Sequence, residues 1–285
     1  MNRHYTIKLY CPDKPGVVAA VSQFLAQHGG SITESSQHSD LVCGDFFMRV
    51  EVDADTLPYA SVSELEKAFS PIAEQFDMTW QVADSAEKKR MVILVSKYDH
   101  CLSDILYRWR NQDFEFDIPC VISNHPDLRS FVEWHGIPYF DIDMKSNKAA
   151  AFDKIEALYH EHHGDLMVLA RFMQILPEAM CERLFGQVIN IHHSFLPSFV
   201  GAKPYHQAYS RGVKLIGATC HYVTQELDAG PIIDQDVIRV DHSHSVEDMV
   251  RLGKDVEKNV LARGLRYHVE DRVLIRENKT VVFDR

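Results

Sequence analysis

The sequence predicts an α/β protein in two parts, a small strand–helix–strand–strand–helix–strand module followed by a doubly wound, mostly parallel sheet. Three observations carry this prediction. Up to Val82 the hydrophobic period switches between two and 3.6 in the order β, α, β, β, α, β. The stretch Asp84-Ser85-Ala86-Glu87-Lys88-Lys89-Arg90 is polar, charged and has nothing to bury. From Met91 onward, continuous apolar runs alternate with helical patterns.

The first module reads as follows. Tyr5 to Tyr10 alternates as a strand, Val17 to Gln27 has helical spacing, and Gly29-Gly30 ends that helix. Ser31 to Ser39 and Phe46 to Val52 are two more strands, Val62 to Phe76 is an amphipathic helix, and Met78 to Val82 closes a ferredoxin-like unit. The expected domains are residues 1–84, a linker over 85–90, and 91–285.

In the second domain, Met91 to Val95 is an apolar run suited to a strand buried on both faces, followed by a helix over Leu102 to Arg110. Strands are expected at Ile118 to Ser123, Ile137 to Phe140, Leu166 to Ala170, Val188 to Ile191, Leu215 to Val223 and Ile232 to Val240. Helices are expected at Leu128 to His135 and Lys148 to His162. A long helix opens at Ser245-Val246-Glu247-Asp248, a capping-box-like start, and a hairpin around Asn278-Lys279 closes the chain. Trp109 and Trp134 are read as core residues.

Bulk properties exclude several function classes. A net charge of -11 disfavours nucleic acid and anionic membrane partners, which need a basic face. No apolar run approaches the ~20 residues that span a bilayer, and the start resembles no signal peptide, so a cytoplasmic protein is expected. Six scattered cysteines without paired spacing read as reduced thiols. His160-Glu161-His162-His163-Gly164 lacks metal-protease spacing, and histidines in a last helical turn are favoured by the dipole, so no metal is expected.

The chemistry is expected around Val188-Ile189-Asn190-Ile191-His192-His193-Ser194-Phe195-Leu196-Pro197. Strand periodicity puts Asn190 and His192 on one side, at a carboxyl end where open α/β sheets bind ligands. Asp228, before the Gly230-Pro231 turn, would have to be returned to them by the fold. The three together suit acyl transfer to or from nitrogen: a carboxylate to take a proton, and donors for the oxyanion. Singly, each residue is better read as a turn, loop or cap residue.

The joint pattern Asn190-x-His192, Ser194-x-Leu196-Pro197, Gly201, His221-x-Val223 and Asp228-x-Gly230 resembles the folate-dependent formyltransferase superfamily. That resemblance implies Asn190, His192 and Asp228 as catalytic residues. His193 replaces the proline usual after the histidine. Residues 5 to 84, with Cys11-Pro12-Asp13-Lys14-Pro15-Gly16-Val17, are similar to an ACT domain, a regulatory module that commonly pairs with a copy of itself and binds an amino acid. Asp13 could cap the helix while Gly16 admits a ligand carboxylate, or the turn could be a plain cap.

Val95-Ser96-Lys97, His100-Cys101-Leu102, Leu106-Tyr107-Arg108-Trp109-Arg110, Val121-Ile122-Ser123-Asn124-His125 and Val132-Glu133-Trp134-His135-Gly136-Ile137-Pro138 resemble the formyltetrahydrofolate deformylases. The loop Ser96 to Cys101 lacks the glycines that cradle a phosphate, so no phosphorylated acceptor is expected there. The resemblance implies hydrolysis of 10-formyltetrahydrofolate to formate and tetrahydrofolate, supplying formate for purine biosynthesis and balancing one-carbon folate pools, with no cofactor or metal and a homo-oligomeric assembly. It places the pteridine against Gln174, Ile175 and Leu176, in a loop that could instead be a core-filling turn. Gly201, His100 and Lys97 are the other substrate-binding candidates. A formyltransferase to an amine, or a silent amino-acid sensor, are the alternatives.

Overall fold

Alternation in the first strand is realised as a sheet with one buried face. Tyr5, Ile7 and Leu9 of β1 (His4–Pro12) are 0% exposed and pack with Val21 and Leu25 of α1 (Val17–Gln27). The chain continues through β2 (Ile32–Asp40), β3 (Asp45–Asp53), α2 (Val62–Gln75) and β4 (Thr79–Asp84). The resulting antiparallel sheet has the order β2-β3-β1-β4, with the helices supplying Leu65 and Phe69 to the same core. α2 starts where Ser61 Oγ accepts from the Glu64 amide while the Glu64 carboxylate accepts from the Ala60 amide, two orphan donors answered at once.

This computed structural model describes residues 3–198 and 204–284, and it divides the chain into two units. The first holds residues 1–88 with 270–276 and 281–285; the second holds 89–269 with 277–280. The C-terminal pieces were expected in the second domain. They belong to the first because the buried Arg49 donates from Nε to Asp271 O (3.1 Å) and from Nη2 to Glu270 O (3.1 Å), and because Leu274 and Phe283 pack on Phe47. A guanidinium taken out of water needs every available acceptor, and backbone carbonyls from residues distant in sequence supply two.

The second unit runs β5 (Lys89–Val95), α3 (His100–Asn111), β6 (Phe116–Asp117), β7 (Val121–Ser123), α4 (Arg129–Trp134), β8 (Tyr139–Asp141), α5 (Lys148–Glu161), β9 (Leu166–Ala170), α6 (Glu178–Arg183), β10 (Val188–His192), α7 (Pro204–Arg211), β11 (Leu215–Tyr222), β12 (Ile232–Arg239) and α8 (Val246–Val269). The closing hairpin is β13 (Val273–Arg276) and β14 (Lys279–Val282). The main sheet has the order β12-β11-β10-β9-β5-β7-β8; it is parallel from β10 to β8 and antiparallel at β11 and β12. From β5 the chain moves outward through β7 and β8, then returns to the other side of β5 with β9. The switch point therefore lies between β5 and β9, with ligand-accepting ends at residues 96–100 and 171.

β5 and β9 read as continuous apolar runs because helices cover both faces; Met91 to Val95 and Leu166 to Ala170 are all buried. α8 starts as the sequence implies, with Ser245 and Asp248 exchanging side-chain to backbone hydrogen bonds of 3.1 Å each way. Two short helices, α6 and α7, escape the periodic reading because six and eight residues give under three turns to average over. Trp134 corrects an expectation: it is 70% exposed and stacks under Arg110, Cζ 5.3 Å from the ring centroid, so its ring shelters a cation instead of filling the core.

Gly230 holds the turn after Asp228 against β11. A Cβ there would lie 1.9 Å from Tyr222 O, a backbone atom that cannot swing aside. The Tyr222 amide also donates to Pro231 O at 2.9 Å, so the turn and strand cannot separate cheaply. Gly230→Ala is expected to destabilise the second unit by about 3 kcal/mol, as overpacking against fixed backbone does. Urea denaturation with unchanged slope and a lower midpoint would register it.

Candidate active site

β10 delivers Asn190 and His192 to one side of its carboxyl end, as the period of two requires. The antiparallel register sets Asn190 opposite His221 on β11. The turn beyond β11 brings back Asp228, whose left-handed backbone (φ 56°) is one that Asp tolerates better than most residues. His192 Nδ1 lies 3.2 Å from Asp228 Oδ2, and His221 Nε2 lies 3.9 Å from Asp228 Oδ1. Side chains of His192 and Asp228 are 5% and 8% exposed, so the pair is largely withdrawn from water.

His221 is a member of this group that sequence reasoning left as a motif residue. Its Nδ1 donates to Tyr222 O at 2.9 Å, which leaves Nε2 as an acceptor for Asn190 Nδ2 at 3.1 Å. The ring thereby fixes which way the Asn190 amide points and leaves its second N–H free to aim at a substrate. Burial pushes the His221 pKa down, so the ring stays neutral in that acceptor role. Only the strand register identifies this partner; neither composition nor local spacing does.

The Asp228 carboxyl feels burial, which pulls its pKa up, but the hydrogen bond and charge of His192 outweigh it, and the net direction is down. His193 differs: burial first, then the Arg171 charge, lowers it from 6.5 to about 3. An unfolded chain takes up that proton near 6.5, whereas the folded chain refuses it until about 3. Stability is therefore lost as pH falls through this window. His193→Asn should flatten the dependence by an amount on the order of a few kcal/mol, measured as denaturation midpoints between pH 7 and 4.

The loop after β10 is pinned from β11 and β12. Thr219 Oγ1 donates to Ser194 O at 2.8 Å and accepts from the Leu196 amide at 3.0 Å, and Gln235 Nε2 donates to Leu196 O at 3.1 Å. Gly201 lies outside the described residues. Beyond β9 the loop at residues 171–177 contains no helical turn. Within it Gln174 is half-buried, Ile175 is 60% exposed, and Leu176 is buried in the core beneath. Leu176 therefore anchors the loop while Ile175 offers an apolar surface above it.

His100 does not join Asp228. It opens α3, and its Nε2 lies 2.7 Å from Glu257 Oε2 of α8; Tyr205 OH donates to Glu257 Oε1 at 2.6 Å. Lys97 is exposed and belongs to neither group. Among the described residues, His100, Cys101 and Glu257 are the one His/Cys/carboxylate cluster dense enough for a metal ion. The Arg171 guanidinium, 3.5 Å from Glu257 Oε2, opposes a divalent cation there. In the first unit, Asp13 and Gly16 line an open hollow with Lys14 and Phe46. Gly16 (φ 99°) is the N-cap of α1 and no side chain caps the helix, so the expected cap by Asp13 is absent.

A mostly parallel sheet bearing an amide, an imidazole and a carboxylate beyond its strand ends defines a formyl transferase-type domain, here preceded by an ACT domain. The Formyl transferase family profile matches residues 89–265, and that of the ACT domain matches residues 5–69. A formyltetrahydrofolate deformylase of Synechocystis sp. is 48% identical over 98% of each chain, and one of Bacillus subtilis is 48% identical over 96% of this chain and 92% of its own. The crystal structure of a formyltetrahydrofolate deformylase from Pseudomonas syringae pv. tomato superposes with a TM-score of 0.97 at 60% identity, covering 100% of this chain and 95% of that one. A phosphoribosylglycinamide formyltransferase from Anaplasma phagocytophilum gives 0.65 at 32% identity over 70% of this chain and 96% of that one. The chain belongs to the formyltetrahydrofolate deformylase family.

Proposed function

We propose that this protein hydrolyses 10-formyltetrahydrofolate to formate and tetrahydrofolate, with Asp228, His192 and Asn190 performing the chemistry. The observation that carries the reading is the 3.2 Å contact between His192 and Asp228, made by residues far apart in sequence beside an amide whose free N–H is oriented by His221. Asp228, ionised by the balance of charges around it, orients a water against the formyl carbon and accepts its proton directly or through a second water. The oxyanion that forms receives the Asn190 N–H and the Nε2 side of His192, which is buried without a hydrogen-bond partner. Proton delivery to the departing nitrogen completes collapse to formate.

This chemistry needs no metal or further cofactor. The pteridine rests against Gln174, Ile175 and Leu176, and Gly201 is a further substrate-binding candidate. His100 and Lys97 shape the side where a transferase would seat its acceptor. The hollow at Asp13 and Gly16 receives an amino-acid effector, the ACT domain pairs with a copy of itself, and the enzyme works in the cytoplasm. No described helix is long and apolar enough to cross a membrane, which accords with that location. The purified protein, given 10-formyltetrahydrofolate and no amine, is expected to release one formate per tetrahydrofolate. Turnover that requires an added amine would replace this reading with formyl transfer.

A further inference from the structure

Glu257 lies within α8, 1% exposed, and both of its oxygens are engaged: Oε2 by His100 Nε2 at 2.7 Å and Arg171 Nε at 3.5 Å, Oε1 by Tyr205 OH at 2.6 Å. Its partners are not equally satisfied. Arg171 Nε and Nη1, together with His100 Nδ1, are buried without a hydrogen-bond partner, and each of the two side chains is 9% exposed. An ion-pair contact of 3.5 Å without hydrogen-bond geometry leaves the guanidinium N–H groups available. Such groups, desolvated and unanswered, carry a cost that a suitable ligand removes.

The position of this cluster matches its chemistry. His100 follows β5 and Arg171 follows β9, so both stand at the switch point of the sheet, where ligands of open α/β folds bind. The Tyr98 ring covers the guanidinium, with Cζ 5.2 Å from its centroid, which holds the fork in one plane. His193 connects the cluster to the catalytic pair: its ring centroid is 5.2 Å from that of His192 and 6.0 Å from that of Tyr205. A guanidinium fork is complementary to a planar carboxylate, and the reaction read above makes one within reach.

We propose that Arg171 and His100, held by Glu257, form a carboxylate subsite that receives the formate released at Asp228 and His192. This rests on the deformylase reading. Formate brings a second negative charge beside Glu257, and the Arg171 guanidinium stands against both.

The test is inhibition of the full-length enzyme by sodium formate at constant ionic strength, with sodium chloride as control. Formate is expected to inhibit the wild type where chloride does not, and Arg171→Met should raise the inhibition constant at least tenfold. Arg171→Lys, which keeps the charge without the fork, should fall between them. If thermal unfolding shows that Arg171→Met does not fold, Arg171→Lys and His100→Asn carry the comparison. Equal inhibition of the wild type and the folded variants, or a wild type indifferent to formate, overturns the subsite. A wild type that releases no formate from 10-formyltetrahydrofolate instead overturns the deformylase reading, so the two failures are distinct.

Discussion

Asp228→Asn is expected to lower kcat by about three to four orders of magnitude, roughly 4 to 5 kcal/mol of transition-state stabilisation, while the KM for 10-formyltetrahydrofolate changes little. The amide has nearly the shape of the carboxylate and can keep its place in the left-handed turn. It cannot accept a proton from water, and it withdraws the negative charge facing His192. An effect confined to kcat assigns Asp228 to the chemical step, since loss of uniform binding would raise KM alone. Because His192 lowers its pKa, the carboxylate of the wild type persists below the ordinary carboxylate range. Its contribution to stability is accordingly present above 3.8 and lost only as pH falls through the lowered value.

The second large effect is expected at His192. Removing its ring in His192→Ala takes away the proposed oxyanion donor and the main partner of Asp228, and about a 10²- to 10³-fold loss in kcat should follow. Freed from that hydrogen bond, Asp228 responds to burial alone among the larger influences, and its pKa rises; the acid limb of the residual activity should move to higher pH. Groups that act as a unit are not additive, so the double variant His192→Ala/Asp228→Asn should be scarcely slower than Asp228→Asn by itself. Steady-state kinetics of the three variants decide the point. Fully multiplicative losses would separate the two residues into independent roles.

Much of the fold was legible in the sequence for a physical reason. The runs Met91 to Val95 and Leu166 to Ala170 are buried on both faces, so their apolar continuity is a direct consequence of their place in a parallel sheet. The charged break at 84–90 falls where the structure divides, between residues 88 and 89, although Asp84 is buried at the end of β4 and Lys89 and Arg90 open β5 instead of lying in a linker. Ownership of the C-terminal hairpin was not legible: it follows from Arg49 capturing two carbonyls far along the chain, and no local period records that.

The site shows the same division. Asn190 and His192 announce themselves by alternation at the end of an apolar strand. Asp228 entered through the resemblance of its motif, and its contact with His192 depends on the β11 to β12 turn held by Gly230. The role of His221 depends on register across two antiparallel strands, and that of Glu257 on a helix packing over the ends of β5 and β9. Local pattern reports what one element buries; it does not report which distant element supplies a partner.

Water as the acceptor of the formyl group is the central claim, and isotope labelling tests it most directly. With 10-formyltetrahydrofolate turned over in H₂¹⁸O without any amine, mass spectrometry of the product should show one ¹⁸O atom in each formate. Formate that carries no label, or that appears only after an amine is added, would contradict it.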